Sequence, residues 1–145
     1  MLVGCAVDSG GAQQSRPAST QTVSGPAMAW DGDTVEVNGQ LLDLWGIDAP
    51  NLDSSDGWHS RAALDELIGA NGTLICTIKD TAGRRDDAIC SNSRSGDVGR
   101  AMLLGGWAIV SRSDTTKNPA DSALAKAYRD TEAVARRQRT GLWGR

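Results

Sequence analysis

The chain is predicted to be mainly β with α (α+β): a small five-stranded Greek-key barrel carrying about three helices. Three observations lead there. Between Val23 and Asn92 the apolar residues recur mostly at strand spacing, interrupted by a single helical stretch. That stretch divides the strands into three before it and two after it. Beyond Asn92 the period turns helical to the end of the chain. A length of 145 residues suits one such domain with a modest core.

The elements follow in order. After an opening strand, Val35 and Val37 alternate with Thr34 and Glu36, as a half-buried strand requires. Asn38-Gly39 is the pair that a tight hairpin turn of type I′ favours. Leu42, Leu44 and Ile47 carry the return strand, and Pro50 ends it because proline cannot donate to a ladder. Ala63, Leu64, Leu67 and Ile68 recur at helical spacing between Trp58 and Gly69. Leu74 to Ile78 and Ala88 to Cys90 form the second strand group. Asp97 is placed to cap a short helix through Val98, Ala101 and Met102, closed by Gly105-Gly106. Pro119 and Asp121 announce a last helix with Leu124, Ala127, Tyr128, Thr131 and Val134 on one face, ending at Gly141. Five short strands with an inserted helix suit a closed barrel of the OB type.

Composition narrows the function classes. A net charge of −3 argues against a dedicated nucleic-acid binder, which usually presents a strongly basic face. No apolar run approaches the roughly 20 residues that span a bilayer. Phenylalanine is absent, so the five tryptophans are expected to supply the aromatic volume. Residues 1–24, rich in Gly, Ser, Gln, Thr and Ala, read as a flexible tether, and residues 25–145 as the folded domain. "LVGC", Leu2 to Cys5, resembles a lipobox, at which Cys5 would be lipidated as a membrane anchor; a chance match of four common residues is the alternative. Cys76 and Cys90 fall in adjacent strands, as a disulfide suited to an oxidising compartment or as two buried thiols. A periplasmic, envelope or secreted location is the expectation.

Three motifs in a fixed order resemble the staphylococcal nuclease (thermonuclease) family. "DGDT", Asp31 to Thr34, and "GIDAP", Gly46 to Pro50, flank an Asn-Gly hairpin. "DVGRAMLLGGWA" runs from Asp97 to Ala108, and "YRDTEAVARRQRTGLW" from Tyr128 to Trp143. The resemblance covers most of the chain and implies a calcium-dependent phosphodiesterase site. Asp33 and Asp48 match the family's metal-binding carboxylates, the carbonyl of Ala49 would complete the protein ligands, and Asp31 matches a supporting acid. Calcium takes hard oxygen ligands of this kind.

Two positions depart from the family's pattern. Asp43 stands where it implies a phosphate-clamping arginine, and Asn51 where it implies the glutamate that activates water. An amide has no useful basicity, and losing a general base typically costs about 10²–10⁴ in rate. Asp43 would also repel a phosphate. Asp53 and Asp56 are the nearby acids that could substitute. The second arginine is Arg85 if the register of Ala88 and Cys90 decides, or Arg84 if the Asp-x-x-Gly-Arg spacing does; a one-residue slip reverses the facing of a strand residue. Where the family's best-known member stacks bases on tyrosines, this chain has Arg112 and Asp114. Stacking usually contributes about 1–3 kcal/mol per base. His59 reads as a capping or surface residue, and the arginines of the last helix as a solvated face.

Two functions follow as expectations. The favoured one is a non-catalytic binding module of the cell envelope that keeps an acidic metal pocket and docks on an unknown protein. The other is a weak nuclease using Asp33, Asp48 and Arg85 or Arg84, with calcium bound and only weak affinity for nucleic acid.

Overall fold

A computed structural model describes residues 21–145; Cys5 and nearly all of the expected tether lie outside them. Strand β1 (Thr22–Ala29) pairs antiparallel with β2 (Thr34–Val37), which pairs antiparallel with β3 (Gln40–Leu44) across the Asn38-Gly39 turn. Both turn residues have positive φ (50° and 84°), the requirement of a type I′ turn. On its other side β1 pairs with β5 (Thr73–Asp80), which pairs antiparallel with β6 (Asp86–Asn92). The sheet closes on itself where β3 meets β6 in parallel, Leu42 opposite Asp86 and Leu44 opposite Ala88. The result is a closed, mixed, five-stranded barrel of the expected OB-like type.

Three two-residue strands decorate the barrel. β4 (Ile47–Asp48) pairs with β8 (Ile109–Val110), and β7 (Gly96–Asp97) extends β6. Helix α1 (Ser55–Ile68) begins three residues earlier than its apolar period, because the Ser54 hydroxyl caps it by accepting from the Gly57 amide. Helix α2 (Val98–Leu104) is capped by Asp97 as expected. Helix α4 (Ser122–Gln138) buries Ala125, Tyr128, Thr131 and Ala135. A fourth helix was not legible: α3 (Arg112–Lys117) has no apolar stripe and forms because Ser111 caps it.

Two further expectations are corrected. The domain begins inside the supposed tether, since Thr22 to Ser24 already pair with Thr77 to Ile75; their Ser/Thr-rich composition hid a strand held by its ladder. The tryptophans do not jointly fill the core. Trp45 is buried, but Trp30 and Trp58 are about half exposed. The core is built instead from Val35, Val37, Leu42, Leu64, Leu74, Met102, Leu103 and Tyr128. Tyr128 meets Trp45 edge-on, with ring centroids 5.3 Å apart, and its hydroxyl donates to Asp97 at 2.5 Å. Cys76 and Cys90 face each other across β5 and β6 and are joined by a disulfide that is fully buried.

Candidate functional site

The turn between β1 and β2, the end of β3, the β4 loop and the turn between β5 and β6 meet at one end of the barrel. The Asp31 carboxylate accepts from the Asp33 amide (3.0 Å), which fixes the tight turn. Gly32 lets that turn lie on the β4 loop and α1, because a Cβ there would sit 2.6 Å from the Ala49 side chain and 2.7 Å from that of Ser60. The Asp33 carboxylate then accepts from the Ala49 amide at 2.8 Å. "DGDT" and "GIDAP" are thus clipped together, as the sequence predicts.

A polar chain continues from there. The buried Thr34 hydroxyl lies 3.3 Å from Asp33 and 3.0 Å from Asp43, and its single proton can serve only one at a time. Arg85 donates from Nε to Asp43 at 2.9 Å. Arg85, the first of the two arginine candidates, pairs with Asp43, and both Arg84 and Arg85 are exposed in the same turn. Asp43 and Arg85 thus hold each other in an ion pair.

Electrostatics make this end acidic. Burial pushes Asp33 up to about 7, helped by its contact with Asp31 and the charges of Asp31 and Asp48, against the opposing Ala49 amide. Partial desolvation and the nearby charge of Asp114 raise Asp48. Asp87 is pushed up to about 6 by burial and by Asp114, Asp43 and Asp80. Asp43 holds Arg85 more firmly protonated than usual. Asp114 also anchors α3 by accepting from the Gly46 amide at 3.0 Å. The segment in which stacking tyrosines would be expected is therefore a capped helical turn of six polar residues.

Other candidates lie elsewhere or are engaged. Asn51 is exposed in the loop before α1, where its carbonyl accepts from the Ser54 amide and hydroxyl. Asp56 is bound to Arg145, which also contacts His59 Nδ1 at 3.2 Å, so both are engaged with the C-terminal residue. Thr34, Asp87 and Asp114 are the participants that sequence reasoning missed. Thr34 looked like one beat of a strand alternation, and Asp87 lay outside every motif read from the sequence.

The hard-oxygen donors present are the Asp33 and Asp48 carboxylates and the Ala49 carbonyl, so water would have to complete a calcium shell. Calcium takes six to eight oxygens. Among the described residues no three acidic, histidine or cysteine side chains converge on one point. One Asp33 oxygen is committed to the Ala49 amide and one Asp43 oxygen to Arg85.

No protein-family model matches the chain. The chain is similar to the Succinoglycan biosynthesis protein ExoI of Rhizobium meliloti (strain 1021), with 26% identity over 139 aligned residues. That alignment takes in 86% of this chain, which spans 66% of the relative's length.

Proposed function

We propose that this is a thermonuclease-like barrel whose phosphodiesterase site has been lost, and that it acts as a non-catalytic binding module in the cell envelope. The observation that carries the reading is the Asp43–Arg85 ion pair. A phosphate needs free cations at those two positions; it would meet one carboxylate and one arginine already satisfied by it. Asn51 adds a second deficit, since it supplies no base. The buried Cys76–Cys90 bond suits the oxidising compartment that the reading requires. A partner protein fits an acidic surface better than a polyanion does.

The test is cleavage of single-stranded DNA and RNA with and without calcium, by the natural chain and by Asp43→Arg/Asn51→Glu. The natural chain should be silent, and the double variant should cut in a calcium-dependent way. The first substitution would release Arg85 and restore the clamp, while the second would return a base. Calcium-dependent cleavage by the natural chain would overturn the reading and point to a weak nuclease.

A further inference from the structure

A cleft of about 340 Å³ opens beside the acidic end, between the β4 loop, β8 and the C-terminal turn. Pro50, Ala108, Ile109, Leu142 and Trp143 give it apolar walls, and Asp48 contributes its one ionisable lining group. This volume lies at the lower end of small-molecule sites, which combine apolar walls with a few placed polar groups.

Asp48 stands apart from the acids around it. Asp31, Asp33, Asp43 and Asp114 each accept a hydrogen bond. Among the described residues, the Asp48 carboxylate has no hydrogen bond or ion pair and is exposed at the edge of the cleft. Three classes of ligand are disfavoured by these contacts. An anion would meet Asp48 with Asp114 behind it. A hard divalent ion needs several oxygens, and the cleft offers one carboxylate among hydrocarbon walls. A wholly apolar molecule would leave the carboxylate desolvated and unpaired.

We propose that the cleft binds an organic cation: a primary ammonium or guanidinium carried on a ring-sized or short alkyl body, with the charge on Asp48 and the body against Pro50, Ile109, Leu142 and Trp143. A charge-assisted hydrogen bond is stronger than a neutral one. It supplies the recognition, while the walls fix which end enters. The inference concerns binding beside the barrel mouth and stands whether or not the barrel is catalytically silent.

The experiment uses the full chain, isotope-labelled for NMR, titrated at pH 7.5 with benzylamine as the cationic probe and benzyl alcohol as its neutral counterpart. Benzylamine should shift the amide signals of Asp48, Ile109, Leu142 and Trp143 and bind at least about tenfold more tightly than the alcohol. Asp48→Asn, a change at an exposed side chain, should lose about tenfold or more for the amine and little for the alcohol. Equal affinity for both probes, or equal affinity of the variant for the amine, would overturn recognition of charge. Shifts centred away from these four residues, or no saturable shifts, would overturn the site itself.

Discussion

Asp33 is a carboxylate that the fold keeps partly protonated. Its value of about 7 lies far above that of the unfolded chain, so the native state retains a proton that the unfolded state has already lost. The sign follows: this contribution to stability is full below about pH 4 and disappears as pH rises through about 7. Asp33→Asn keeps an acceptor for the Ala49 amide and removes the charge. The variant should be more stable than the natural chain at pH 8, by on the order of 2 kcal/mol, with the gain fading towards pH 4; urea unfolding at several pH values measures it. The Asp43–Arg85 pair behaves differently because both side chains are about a third or more exposed. Arg85→Ala should lower stability by less than about 1 kcal/mol. A larger loss in thermal unfolding would mean that the pair holds the barrel together, as well as occupying its site.

Among the helices, α1 depends on a residue that propensity alone would replace. Alanine normally improves a helix over glycine by about 1 kcal/mol. At Gly57 a Cβ would stand 1.9 Å from the Asn51 carbonyl oxygen, so the loop and the helix could not both stay in place. Gly57→Ala should therefore destabilise, by about 1–3 kcal/mol, the opposite of the propensity effect. Ser54→Ala should cost about 1 kcal/mol through the lost cap, and comparing the two melting curves separates packing from capping. These elements also show how much could be read in advance. The Asn-Gly hairpin, the Asp97 cap and the Tyr128 face of α4 were legible because each is a local signal, a turn pair or a repeat along one face. Helix α3 was not, since six polar residues carry no period and only the Ser111 hydroxyl defines its start. At the site, the closeness of Asp33 to Ala49 was legible from the motifs. Which of Arg84 and Arg85 pairs with Asp43 was not, because it depends on how the β5–β6 turn presents its side chains. The engagement of Asp43 by Arg85 joins residues 42 positions apart, beyond the reach of spacing.

At the scale of the whole molecule, the barrel is held by a covalent bond and a seam. The Cys76–Cys90 bond closes a loop of 14 residues across neighbouring strands, and such cross-links typically contribute about 3 kcal/mol. Cys76→Ala/Cys90→Ala should lower the melting temperature by several degrees or more, and a reductant should have little effect on the native protein because the bond is buried. The seam between β3 and β6 is of another kind. It joins segments whose partners stand more than forty residues apart, with β1 to β3 built before it and β5 and β6 after. β3 can pair with β2 before β6 covers it, and until then its outer edge stays open. A chaperone or a neighbouring chain has that interval in which to pair with it. The open edge of β3 is thus the exposed strand of any partly folded state in which Asp86 to Ala88 have not yet closed the ring.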